Sequence, residues 1–284
     1  MTPTIGEHKQ LDDFCDFLSN EWRGIRPHSY LVPNRGKSSA WSQSLPGGVW
    51  SAVGLKDALC QYNWNGKTLS DNKTRLDELA QCIQRAIMKK DDTRVCSVAM
   101  EIMSWGGVDN VHRQKRTFAW IKQNARSISK KLRKAVRQIG DDKDLLEDFD
   151  GENLIMNSAM TKIVSLADPD GKLIIYDGRV GSALAFFVTK FSEERTQARL
   201  VLPRQLLFAA DKQDGRNPDT NAIVFPSLFG KSKDRSHAVM MRRASGIVGH
   251  VAQRCGITAR EIEAALFMWG YRVGDEAPIP PPAR

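Results

Sequence analysis

Two side chains in the middle of the chain, a lysine and an aspartate fifteen positions apart, could together do chemistry on a sugar. Lys162 lies at the start of a short helical pattern, and Asp177 follows an extended apolar run. A lysine amine can attack a sugar carbon and form a Schiff base, and a carboxylate can stabilise the positive charge that develops there. Each residue alone has a plainer interpretation, because exposed helix lysines and aspartate helix caps are common.

The sequence predicts that consecutive helices position these two residues. Apolar spacing predicts a helix over Thr161–Ala167, which ends before Pro169, and another over Gly178–Phe187. Asp177 would then occupy the N-cap of the second helix, where amide groups and the helix dipole favour a carboxylate.

Most of the remaining chain also has helical spacing. The stretch Arg23–Val53 is rich in Pro, Gly and Ser and is predicted to form a long loop or short turns. The fold class is therefore mainly α, with few or no strands. Further helices are predicted over Lys9–Trp22, Ser70–Lys90, Thr93–Trp105, Pro203–Ala210 and His237–Cys255, and a last one is capped by Thr258 and Glu261 and ends near Trp269.

Positive charge is concentrated in one segment. The chain has 42 Lys and Arg against 33 Asp and Glu, a net charge of +9, and ten of the basic residues lie between Asn110 and Gly140 with no acidic residue among them. Apolar spacing predicts that this segment is one helix. A polyanion such as nucleic acid would offset the repulsion between its charges. A solvated basic face without a partner is the alternative.

Several classes of protein are not expected. No run of about 18 apolar residues is present, so we expect no membrane span, and the first residues lack an apolar signal core, which predicts a cytoplasmic protein. The five cysteines form no CxxC pair, so we expect no metal site and no cofactor. The histidines show no ligand spacing, which predicts surface or packing roles for His112, His237 and His250.

The segment Met156-Asn157-Ser158-Ala159-Met160-Thr161-Lys162 resembles the hairpin and catalytic lysine of helix–hairpin–helix DNA glycosylases. The most similar branch is that of divergent bacterial 8-oxoguanine DNA glycosylases. Lys162 matches the family's lysine, and Asp177 matches its essential aspartate at a helix start. The run Tyr176–Val180 is similar to the family's loop, and Leu266–Tyr271 is similar to its closing helix. Ser158 and Met160 stand where the family has glycines.

The resemblance implies a two-lobed, helical helix–hairpin–helix DNA glycosylase-like fold. It assigns a helix–hairpin–helix glycosylase-like region to 93–277, while the residue pattern outside that range predicts an N-terminal helical and loop region over 1–92 and a Pro-rich tail over 278–284. The implied activities are DNA N-glycosylase and AP lyase. Lys162 would be the nucleophile and Asp177 its partner in this reaction. The implied partner is double-stranded DNA carrying a modified base, bound by a monomer.

Further site residues follow from the basic segment, the hairpin and the need to hold a base outside the stack. Candidates for contact with DNA are Arg113, Lys115, Arg116, Lys122, Ser158, Met160, Thr161 and Arg179. Candidates for lining a base pocket are Tyr176, Trp105, Phe267 and Trp269, although such aromatic residues are more often core.

Alternatives to this interpretation stay open. The modified base could be oxidised guanine in base-excision repair, or a bulky modification on phage DNA in antiviral defence. A non-catalytic DNA-binding module that retains the fold is the principal rival. A protein-interaction scaffold, whose basic segment meets an acidic partner, is a third possibility.

Overall fold

The computed structural model describes residues 5–195, 202–230 and 233–273. Over these residues the protein is mainly helical, as predicted, with eleven α-helices and one two-stranded sheet. The strands are β1 (Pro27–Leu31) and β2 (Val49–Val53). The helices are α1 (Ile5–Arg23), α2 (Ser39–Ser44), α3 (Leu55–Cys60), α4 (Leu69–Met88), α5 (Asp92–Trp105), α6 (Lys115–Gln123), α7 (Ile128–Gly140), α8 (Ser158–Ala167), α9 (Gly178–Glu194), α10 (Asp234–Cys255) and α11 (Ala259–Trp269).

The chain divides into two compact units. Unit 1 comprises Met1–Asn72, Gly178–Ser227 and Ile247–Arg284, and unit 2 comprises Lys73–Asp177 and Leu228–Gly246. The domain boundaries at residues 92 and 277 stay predictions, and the Pro-rich tail over 278–284 lies outside the described residues. No helix in the described ranges has both the length and the apolar character needed to cross a membrane.

Unit 2 is built around α8, whose residues from Ala159 to Ala167 are all buried. Helices α5 and α7 pack against it. Asp92 ties these two helices together, because its carboxylate accepts hydrogen bonds from both the backbone N–H and the hydroxyl of Ser129, at 2.9 and 2.6 Å. The centre of unit 2 is therefore a short apolar helix surrounded by longer amphipathic ones.

Unit 1 combines the small sheet with α1, α3, α9 and α11. Its aromatic core includes Tyr30, which stacks on Trp50 with ring centroids 4.7 Å apart. Helix α11 begins with the predicted capping box of Thr258 and Glu261 and ends before Gly270. A Cβ at Gly270 would lie 1.9 Å from the Arg179 carbonyl oxygen, so only glycine allows α11 to approach α9 this closely.

Three predicted elements differ from the structure. The basic segment forms two helices, α6 and α7, because the Asn124 side chain donates to the Trp120 carbonyl at 2.8 Å and the chain turns there. The stretch Arg23–Val53 contains an antiparallel strand pair, since strand pairing depends on a distant partner that the local composition did not indicate. The helix predicted over Pro203–Ala210 is a single 3-10 turn at Arg204–Leu206.

Candidate active site

The structure brings Lys162 and Asp177 together within unit 2. The Lys162 Nζ donates to the Asp177 carboxylate at 3.5 Å and to the Ser158 carbonyl oxygen at 3.2 Å. Little of either side chain is exposed, 7% for Lys162 and 13% for Asp177. The amine is therefore held at the N-terminal turn of α8 by one charged and one neutral acceptor.

Helix α8 begins at a side-chain cap provided by Asn157. The Asn157 Oδ1 accepts hydrogen bonds from the backbone N–H groups of Ala159 and Met160, each at 3.0 Å, while its Nδ2 donates to the hydroxyl of buried Thr117 at 2.9 Å. Such a cap satisfies amides that a helix start would otherwise leave open. Because Asn157 is fixed by Thr117, the first turn of α8, which lies directly before Lys162, has a defined position.

Two donors hold the carbonyl group that directly precedes Asp177. The Tyr176 carbonyl oxygen accepts from the hydroxyl of Thr161 at 3.1 Å, and the Nε2 of His237 lies 3.0 Å from it. A carbonyl oxygen can only accept, so Nε2 of His237 carries the hydrogen. The backbone next to Asp177 is thus fixed by α8 on one side and by α10 on the other.

The extended segment that leads to Asp177 is anchored in the same way. Ser165 in α8 donates its hydroxyl to the Leu173 carbonyl at 2.6 Å, and the backbone N–H of Ile174 donates to the Ser245 hydroxyl of α10 at 3.0 Å. Among the described residues the segment pairs with no strand, and these two side chains satisfy backbone groups that a neighbouring strand would otherwise bind. The position of Asp177 relative to Lys162 is therefore set by several hydrogen bonds that converge from two helices.

Burial keeps His237 neutral. It lowers the pKa of this histidine from 6.5 to about 4, chiefly because the charged ring would lose its hydration. The nearby Lys162 ammonium acts in the same direction. The hydrogen bond to Tyr176 and the carboxylates of Asp177 and Asp234 oppose the shift but do not cancel it. The sequence predicted a surface or packing role for His237, and the structure gives it a polar one inside the core.

Gly106, at the end of α5, leaves room for the Lys162 side chain. Its φ of −73° and ψ of 0° suit any residue, so backbone conformation does not explain the glycine. A Cβ there would lie 2.5 Å from Cδ and 2.8 Å from Cε of Lys162. The lysine stem occupies the space that any other residue at position 106 would fill.

Replacing Gly106 with alanine is therefore expected to push the Lys162 amine away from Asp177. Misplacement of a reacting group by about 1 Å can cost roughly a hundredfold in rate, and we expect a loss of about ten- to a hundredfold in covalent capture of a sugar aldehyde. Borohydride trapping on abasic DNA measures it. Gly140→Ala is the matched control, because a Cβ at Gly140 meets nothing within 4 Å. Equal trapping by both variants would show that the space at Gly106 is unimportant.

Four of the five basic residues predicted to contact DNA lie in α6 or just before it, and they fall into two groups. Arg113, Lys115 and Lys122 are exposed, and we find no ion pair for them within the described ranges. Arg116 instead pairs with the buried carboxylate of Asp234 at 2.7 Å. Asp234 also accepts the backbone N–H of Met156 at 2.7 Å, so Arg116 supports the chain that enters α8.

The hairpin residues offer less surface than expected. The side chains of Met160 and Thr161 are buried, and Ser158 is partly exposed. The Met160 amide is bonded to Asn157. A phosphate contact through the side chains of Met160 or Thr161 would require this helix start to open.

The aromatic residues predicted for a base pocket belong to different units, two to each. In unit 2, Tyr176 is fully buried and Trp105 is partly exposed. In unit 1, Trp269 is fully buried and stacks on His28 with ring centroids 4.6 Å apart, whereas Phe267 is partly exposed. Tyr176 and Trp269 therefore present no open ring face to a ligand.

Unit 1 contains an aromatic pocket that the sequence did not indicate. Its volume is about 640 Å³. The Arg179 guanidinium lies 4.4 Å from the ring centroid of Tyr271 and 5.3 Å from that of Trp64. A third ring, that of Phe267, lies 4.3 Å from the same guanidinium. Such a lining can stack a planar ring. The pocket residues are Ser38, Ala40, Trp41, Ser44, Asn63, Trp64, Asn65, Gly66, Arg179 and Tyr271.

Comparisons with family models, curated proteins and solved structures found no match to this chain. The described residues contain no group of three or more His, Cys, Asp or Glu side chains that could hold a metal ion. The side chains of this site that can take part in a reaction are those of Lys162 and Asp177.

Proposed function

We propose that the protein is a DNA glycosylase with AP lyase activity, with a helix–hairpin–helix glycosylase-like fold, in which Lys162 is the nucleophile and Asp177 its partner. The observation that carries the proposal is the 3.5 Å approach of the Lys162 Nζ to the Asp177 carboxylate. Five side chains contribute to the hydrogen bonds around this pair: the cap residue Asn157, Thr161 and Ser165 of α8, and His237 and Ser245 of α10. The resemblance of the hairpin and loop to that family supports the same assignment.

In the proposed reaction, the bond between C1′ of the deoxyribose and the base nitrogen breaks, and the base leaves with the bonding electrons. The Lys162 amine bonds to C1′ while Asp177 stabilises positive charge on the sugar and accepts the proton that the amine gives up. The nitrogen lone pair then breaks the C1′–O4′ bond, O4′ takes back the proton held by Asp177, and an imine forms between Lys162 and C1′. Loss of a C2′ proton and departure of the 3′ phosphate then cleave the strand.

The burial of Lys162 defines how substrate must reach it. Only 5% of the residue is exposed, so a sugar inside an intact duplex cannot contact Nζ. The nucleotide has to leave the stack, as enzymes that act on bases generally require. A modified base is the proposed target because weakened stacking lowers the cost of this step. Oxidised guanine in repair and a bulky base on phage DNA are the two proposed substrate classes.

Borohydride trapping tests the proposal. The protein is incubated with duplexes that carry an abasic site, an oxidised guanine or a bulky modified cytosine, and sodium borohydride reduces any imine to a stable bond. We expect a covalent protein–DNA adduct with the abasic duplex and with one class of modified base. If no duplex gives an adduct and none loses its base although all are bound, the protein is a non-catalytic DNA-binding module.

The exposed basic residues of α6 should govern DNA affinity without changing base preference. Lys122→Gln is expected to weaken binding to any duplex and to reduce the slope of log K against log salt by about 1. Fluorescence anisotropy at several salt concentrations measures this slope. The matched control is Lys172→Gln, because Lys172 is exposed in the same unit but pairs with Asp170 at 2.9 Å. An unchanged slope for Lys122→Gln would place the DNA elsewhere.

A further inference from the structure

A second concave surface in unit 2 is lined by the end of α4, one face of α7 and the end of α8. Its volume is about 620 Å³. None of the described residues that line it belongs to the Lys162 and Asp177 site. They are Gln81, Gln84, Arg85, Ile87, Met88, Arg133, Val136, Arg137, Ala167 and Pro169, and we refer to this surface as the arginine-rimmed groove.

The floor of the groove is apolar. Ile87 and Ala167 are almost fully buried beneath it, whereas Met88 is 72% exposed. Val136 is partly exposed and Pro169 is exposed. A contiguous apolar surface of this kind commonly marks an interaction site, and an unbranched methionine adapts to varied partners.

The shape of the groove is fixed by hydrogen bonds from one side chain to two carbonyl groups of the main chain. The Gln84 amide of α4 donates to the carbonyl oxygens of Leu166 and Asp168, each at 3.0 Å. These bonds join α4 to the end of α8. A partner would therefore bind a preformed surface, and little conformational entropy would be lost in ordering the groove.

The rim of the groove is positively charged. Arg85, Arg133 and Arg137 are exposed, and no acidic residue occurs among the lining residues. Within the described ranges, Arg133 and Arg137 make no ion pair, whereas Lys134, on another face of α7, pairs with Asp148 at 2.6 Å. Three arginines around an apolar floor are complementary to carboxylates that flank apolar side chains.

We infer that the arginine-rimmed groove binds an acidic amphipathic helix of a partner protein. Helices α4 and α7 both border the groove, and a third helix can lay apolar residues spaced i, i+3 and i+7 against Met88 and Val136. Its carboxylates would meet Arg133 and Arg137. Phosphate contacts alone do not require an exposed apolar floor, which favours a protein segment over nucleic acid. The inference does not depend on the proposed glycosylase activity.

A synthetic peptide of 16 residues, with leucines at i, i+3, i+7 and i+10 and glutamates on both flanks, tests this inference. Fluorescence anisotropy measures its binding to the full chain, and a scrambled peptide of the same composition is measured for comparison. We expect saturable binding of the patterned peptide and at least tenfold weaker binding of the scrambled one. Met88→Asp, and separately Arg133→Glu with Arg137→Glu, should each weaken the patterned peptide at least tenfold.

The matched control is Leu145→Asp, because Leu145 is 67% exposed in unit 2 but does not line the groove. Thermal unfolding of each variant shows whether it is folded. The inference fails if the patterned peptide does not bind, if folded groove variants bind it normally, or if Leu145→Asp weakens it equally. It also fails if the groove variants abolish duplex DNA binding or self-association instead, which would assign the surface to DNA or to a second copy.

Discussion

Lys162→Gln is expected to remove the borohydride-trapped adduct completely and to lower strand cleavage at abasic sites by at least about a thousandfold. A glutamine amide cannot form an imine, so no residual covalent pathway through this position remains. The amide can still donate a hydrogen bond within the same space. Duplex binding should therefore change little, and gel analysis of the adduct together with anisotropy separates the two effects.

Two further variants make this result specific. Lys172→Gln removes an exposed lysine of the same unit and should leave trapping unchanged. Asp177→Asn keeps the size of the side chain but removes its charge, so it should slow base release while duplex binding is retained. A folded Lys162→Gln protein that still forms the adduct would identify another lysine as the nucleophile and end the assignment of Lys162.

The elements that carry the site could largely be predicted from the sequence. Residues 161–167 and 178–187 have strong helical spacing, and the structure places α8 and α9 over them with longer bounds. The Thr258 capping box was also predicted correctly, because its signal is contained in four residues. Local patterns of this kind depend on near neighbours in the chain, so they can be read without knowledge of the fold.

The groups that position the site could not be predicted in the same way. His237 lies 61 residues beyond the Tyr176 carbonyl that it contacts. Gly106 lies 56 residues before Lys162. The missing Cβ at Gly106 leaves room for the Lys162 side chain only because α5 packs beside α8. The aromatic pocket of unit 1 likewise joins Trp41, Trp64 and Tyr271 from separate elements. Such contacts follow from tertiary packing, which a single sequence does not reveal.

His237 is expected to make the protein lose stability as the pH falls from about 6.5 to about 4. Its pKa is about 4 in the folded protein, against the ordinary value of 6.5 that applies in the unfolded chain. Between these two pH values the unfolded chain therefore binds a proton that the folded protein does not. Stability is therefore fully present above pH 6.5 and declines below it. The difference in pKa corresponds to about 3 kcal/mol of unfolding free energy. Denaturant unfolding at a series of pH values measures the decline.

His237→Gln should flatten this pH dependence, because glutamine can donate to the Tyr176 carbonyl but does not titrate in this range. Near neutral pH the variant should lose some stability through imperfect packing, and its curve should approach that of the unmodified protein as the pH falls to about 4. His112→Gln is the matched control, since His112 is exposed in the same unit. If the His237→Gln protein and the unmodified protein lose stability in parallel between pH 6.5 and 4, the neutral, carbonyl-bonded state of His237 is not what holds the backbone beside Asp177.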